Sequence, residues 1–163
     1  MLLWFIGPTV AAVWLVFRSP ALDYRMVVLG ALLPMLDVVT GGPWVLHTLL
    51  GAVLALAVVM GLTRHRRLVR RRWLGIPIGM FLHLALDFTF TRAELFWWPF
   101  LGRGFGEGGL PELERPLVAV LILEVLGAAA CWWCWRTFGL DDEQRRRAMV
   151  RTGQVDRALL PPD

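Results

Sequence analysis

His83 and Asp87 stand four residues apart inside residues 75–99, a stretch otherwise apolar enough for a bilayer. On a helix that spacing projects an imidazole and a carboxylate from one face, about one turn apart. Such a pair can ligate a metal or pass a proton. An ionisable side chain in hydrocarbon is costly enough to ask for a partner, a water-filled cavity or a task. Three more ionisable groups, Asp37, His47 and Glu124, lie in or beside apolar runs. Two histidines and up to three carboxylates are ligand types for a divalent metal ion, zinc first and manganese or iron as alternatives, in a site with open positions. A cation so held brings the pKa of a bound water toward neutrality, for attack on an ester or phosphoester. In this reading Asp37, His47, His83 and Asp87 are the metal ligands, and Asp87 and Glu124 are the catalytic carboxylates. Glu124 would orient a histidine or act as general base.

The elements that must position these groups follow from the apolar runs. Residues 2–17 are uncharged and nearly long enough to span a bilayer, which takes about 20 residues. Residues 26–36 form a shorter apolar run, containing Pro34 and followed by Asp37, that reads as a half-helix or re-entrant segment. Gly41, Gly42 and Pro43 give turn chemistry, with Pro43 suited to open the next helix over residues 44–62. Residues 73–90 and 117–135 supply two further spans. The expected fold is therefore all-α, a polytopic integral membrane bundle of four full transmembrane helices plus one short or re-entrant helix. Residues 1–138 would form the bundle and residues 139–163 a cytoplasmic basic tail.

Charge patterning sets the orientation. Residues 63–72 carry six arginines and His65, and by the positive-inside rule this loop is cytoplasmic. Counting inward at ~1.5 Å per residue, Asp87 then lies about 5 Å deep and His83 and Glu124 about 10 Å deep from the opposite face. Asp37 and His47 fall in the same stratum. Residues 91–115 form a long connection rich in glycine and aromatics; Trp97 and Trp98 fit headgroup anchors within an interfacial element over residues 96–100, and the glycine-rich part could be a lid.

Composition bounds the rest. The chain has 163 residues, 57% of them hydrophobic, and nine tryptophans, which is too apolar for an ordinary soluble domain and too short for several. Its net charge of +4 comes from arginines gathered beside apolar runs, a pattern that fits contact with anionic lipid and argues against nucleic acid. The expected location is a bacterial-type inner membrane, multi-pass, with the C-terminus cytoplasmic. The expected partners are membrane lipids and a lipid-like substrate; the oligomeric state is not legible. The two cysteines, Cys131 and Cys134, are three apart, too strained on a helix for a disulfide, and read as small buried hydrophobes.

Duller readings stand beside each group. His83 and Asp87 could hydrogen-bond one another, Asp37 could cap the following element, His47 could be a wetted helix-start residue and Glu124 could snorkel or pair with an arginine. Two other classes of function use the same residues: a catalytically silent membrane scaffold whose polar groups lock helices together, and a proton or ion conduit.

The pattern resembles the YdjM-like membrane proteins, described as LexA-binding, inner-membrane-associated metal-dependent hydrolases. In that family P-D-x-D follows a Gly-containing apolar stretch, then come H-R-G-x-T-H-S, H-x-x-x-D and W-P. Here residues 29–37, with Pro34 and Asp37, look like the first motif, and Leu46, His47 and Thr48 like the end of the second. His83 and Asp87, with Trp98 and Pro99 after them, look like the third and fourth. The chain departs at Met35, where the family has the first aspartate, and at Gly42 and Pro43, where it has H-R. The resemblance implies a divergent member using Asp37, His47, His83 and Asp87 on a metal, hydrolysing a phosphoester or other ester bond of a lipid-like substrate. It also implies LexA binding, for which no residue basis is visible.

Overall fold

A computed structural model describes residues 1–40, 42–101 and 115–159, and among these every regular element is helical. In chain order they are α1 (Leu2–Phe17), α2 (Tyr24–Leu32), a 3₁₀ stretch (Leu33–Thr40), a 3₁₀ turn (Val45–His47) and α3 (Leu49–Leu62). Then follow α4 (Arg67–Trp73), α5 (Gly75–Leu86), a 3₁₀ turn (Thr89–Thr91), α6 (Ala93–Phe96), α7 (Leu117–Thr137) and α8 (Glu143–Thr152). The glycine-rich segment read as a lid falls on residues 102–114, outside the described residues.

The expectation of four full spans plus a short one does not hold. Among the described residues only α7, with 21 residues, is both long and apolar enough to cross a membrane. Helices α1, α3 and α5 have 16, 14 and 12 residues. At ~1.5 Å per residue they reach roughly 24, 21 and 18 Å, short of a ~30 Å hydrocarbon core. Local chemistry cuts the apolar runs. Thr48 is extended and its hydroxyl accepts from the Gly51 N–H, so α3 begins there and residues 44–47 are left outside it. Phe88 adopts φ 58°, which ends the run of residues 73–90 just beyond α5.

Helix α5 is the hub: α2 and α3 pack on it, and α1 packs on α2, α5 and α7. The contact of α2 with α5 is close because Gly79 offers no side chain. A Cβ there would overlap the Val27 carbonyl oxygen and lie 2.6 Å from the Ala31 nitrogen, both backbone atoms that cannot swing aside. The main core joins Val13 and Trp14 of α1, Tyr24 and Val27 of α2, Cys134 of α7 and Phe138. Trp14 and Phe138 meet edge to face at 5.3 Å, a preferred aromatic geometry. A second cluster of Ala52, Met80 and Leu84 ties α3 to α5.

Residues 139–159 fold back onto the turn between α1 and α2. Arg25 donates to the Val150 and Arg151 carbonyls at the end of α8, and the Tyr24 N–H donates to the Gly153 carbonyl. Gly153 has φ 73° and closes α8; a side chain there would also collide with the Asp23 carboxylate. Asp23, 1% exposed, caps α2 and receives Arg25 at 3.0 Å and Arg72 at 2.9 Å. Burial pushes its carboxyl up, but hydrogen bonds and charge from Arg25, with the charge of Arg72, outweigh that and hold it below the ordinary value.

Candidate metal centre

The far end of α5 carries the polar residues singled out from the sequence. His83 lies in the last turn of α5 and Asp87 caps it, the Asp87 N–H donating to the His83 carbonyl at 2.8 Å. His47 ends the 3₁₀ turn before α3. His47 and His83 are both 0% exposed and Asp87 is 2% exposed. One ligand atom from each lies within 4.8 Å of the others, and the two imidazoles meet edge to face at 5.3 Å.

Each imidazole is aimed by an acceptor at Nδ1. For His83 this is the Ala31 carbonyl oxygen, 2.6 Å away. The sequence explains why that carbonyl is available. As α2 gives way to 3₁₀ winding at Leu33, the i+3 donor for Ala31 would be Pro34, which has no N–H. For His47 the acceptor is Asp37 Oδ2 at 2.9 Å, and the same oxygen accepts from the Trp44 and His47 backbone N–H groups at 2.9 and 3.2 Å. A carbonyl oxygen can only accept, and Asp37 Oδ2 already serves as acceptor for two backbone N–H groups, so both partners assign a proton to Nδ1. In the neutral ring of that tautomer, Nε2 carries the lone pair a metal needs, the usual division of labour in a metal-binding histidine.

Asp87 is held by its own set. Its Oδ2 accepts from the Thr89 hydroxyl at 3.1 Å, and its Oδ1 and main-chain carbonyl accept from Arg115 at 3.0 and 2.8 Å. Phe5 of α1 stacks on His83 with ring centroids 4.0 Å apart, covering one face of the imidazole. Two histidines and a carboxylate with ligand atoms within 4.8 Å of one another fit the donor set of a zinc, manganese or iron(II) site that leaves coordination positions to others.

The structure thus brings together His47, His83 and Asp87, and sets Asp37 outside that group, hydrogen-bonded to His47 Nδ1. Glu124 lies elsewhere. Its carboxylate accepts from the Leu3 N–H at 3.1 Å and pairs with the Met1 amine at 3.3 Å, at the start of α1. His65 is exposed in the loop before α4. Both cysteines are thiols, with Cys134 Sγ against the Gly7 carbonyl oxygen.

Ala31, Phe5, Thr89 and Arg115 were not legible as parts of the site. Pro34 is the one signal that could have found the Ala31 carbonyl, since a proline removes a helical donor ahead of it. Arg115, 28 residues beyond Asp87, carries no local mark of its destination. No protein-family model, curated protein or solved structure matches the chain.

Proposed function

We propose that this protein is a membrane-associated, metal-dependent hydrolase of phosphoester bonds. The observation that carries the reading is the meeting of His47, His83 and Asp87 ligand atoms within 4.8 Å in a buried setting. A divalent cation bound there would supply Lewis-acid activation of water and of the ester oxygens. The chain's own residues would do the rest. His47, His83 and Asp87 hold the cation, Asp37 and the Ala31 carbonyl fix the tautomers, and Phe5 shields His83 from water. Arg115, already at Asp87, offers a planar fork of donors suited to phosphate oxygens. That guanidinium favours a phosphoester over a neutral ester. The likeness to the YdjM-like family points the same way, with Asp37 serving His47 rather than the metal.

Membrane association rests on α7. Only 11% of its apolar window is buried within the chain. Leu117, Val118 and Val125 are 72, 68 and 69% exposed, a face that lipid would cover. With the basic α8 on the cytoplasmic side, the start of α7 and the metal centre near it face outward.

The test is hydrolysis of p-nitrophenyl phosphate and its diester by purified protein supplied with zinc, manganese or iron(II). Turnover is expected, falling at least about 100-fold in His83→Ala. Equal turnover in the variant would remove the reading. A second reading, a polar lock in a scaffold protein, draws on the Arg115 to Asp87 ion pair, which balances that carboxylate without any metal. It is favoured if chelation leaves the thermal midpoint unchanged.

A further inference from the structure

Beside the metal centre lies a groove of about 420 Å³ between α1, α3 and α5, within the size range of small-molecule sites. Its walls are apolar: Val13, Val16 and Phe17 of α1, Val53 and Leu56 of α3, and Phe81 of α5 are among them. Two further wall residues mark one end. Leu82 immediately precedes His83, and Leu49 stands two residues after His47. Phe5 and His83 are stacked, and Trp4 Nε1 donates to the Leu86 carbonyl, so α1 and α5 run antiparallel. On α3 and α5 the groove therefore begins beside the chain neighbours of the two imidazoles and runs away from them, while its α1 wall begins at Ala12, beyond Phe5. From Leu49 to Leu56 it extends about 10 Å along α3.

We propose that the groove seats one alkyl chain of the substrate, whose phosphoester sits at His47, His83 and Asp87; the inference rests on the hydrolase reading. An apolar wall whose Leu49 and Leu82 neighbour His47 and His83 along the chain is what an amphiphile needs. Its head meets Arg115 and the ligand set, while the chain leaves along α3 and α5, where Val53 and Phe81 are half exposed and permit entry from the side. Holding the chain would orient the ester bond at the centre, so chain length should act on turnover efficiency and leave metal binding alone.

The experiment compares hexadecyl, butyl and ethyl esters of p-nitrophenyl phosphate on the full chain. Val53→Trp fills the middle of the groove at an exposed position. It should lower kcat/KM for the hexadecyl ester about tenfold and leave the ethyl ester within about twofold, with metal content unchanged. Leu56→Trp, at the far end, should penalise the hexadecyl ester and spare the butyl one. Equal losses for all three esters, or none, with metal retained, overturn the groove assignment. If wild type cleaves none of them, the hydrolase reading fails, and a hexadecyl phosphate carrying a diazirine reports on the groove separately. Labelling confined to α3 and α5 and displaced by hexadecyl phosphate, but not by hexadecanol, supports the seat. Labelling spread over α7 as well, or displaced equally by hexadecanol, means bulk lipid contact only and overturns it.

Discussion

Asp23, packed against the start of α5, and Asp87, which caps its end, are buried to nearly the same degree, at 1 and 2% exposure, yet their surroundings differ in kind. Around Asp23 the carboxylate meets two guanidiniums, its own helix-cap N–H and the closing glycine of α8. Every partner there is supplied by the chain, and the result ties α2, α4 and α8 together. Around Asp87 the Arg115 guanidinium is joined by two imidazoles, each with an acceptor at its Nδ1. Burying a carboxylate is compatible with stability when its charge is met by the chain, as at Asp23. Two histidines buried beside the carboxylate, each aimed by a separate acceptor, are the arrangement on which the proposed metal centre rests.

The contrast can be broken most forcefully where both ends depend on one contact. Gly79→Leu forces α2 away from α5, since the clash is with backbone, and should cost about 3 kcal/mol in chemical denaturation. It should also lower metal affinity, because the Ala31 carbonyl moves with α2. Next, zinc at about 100 times its Kd should stabilise wild type by about 2.7 kcal/mol. The same addition should leave a His47→Leu, His83→Leu variant unmoved, which thermal unfolding would read directly.

Asp23→Ala should cost about 2 kcal/mol by removing a helix cap and the partner of two arginines, with no change in metal content. The pH dependence sharpens this end. Because the folded-state value of Asp23 lies below its ordinary 3.8, its contribution is complete above that value. It is lost as pH falls through the lower folded-state value, so the wild type should converge on Asp23→Asn in acid denaturation. The smallest effect is expected at Glu124→Gln, about 0.5 kcal/mol, since its partners lie at the partly exposed start of α1. Its metal content and turnover should match wild type, whereas a general base would lose turnover.

Much of this arrangement was visible in residue order. The i, i+4 pair of His83 and Asp87, the run that became α1 and the run that became α7 were all plain from composition and spacing. Span length was not, because an apolar run carries no record of where its backbone turns. Thr48 becomes an extended cap and Phe88 takes a left-handed conformation, and these two residues shorten the apparent spans of α3 and α5. Glu124 stands outside the group of His47, His83 and Asp87 for a related reason. Its depth along α7 matched that of His83, but depth says nothing of azimuth, and its face of α7 meets the start of α1. Arg115 was missed because only the tertiary fold carries it back to Asp87.

The most direct measurement is metal content by elemental analysis after purification with zinc present, on wild type and on the His47→Ala, His83→Ala variant, each checked for folding by circular dichroism. About one equivalent per wild-type chain, with less than about a tenth in a folded variant, is the predicted outcome. An equal metal content in both, or a wild type that takes up none from zinc, manganese or iron(II), would contradict the assignment of this buried group as a metal centre.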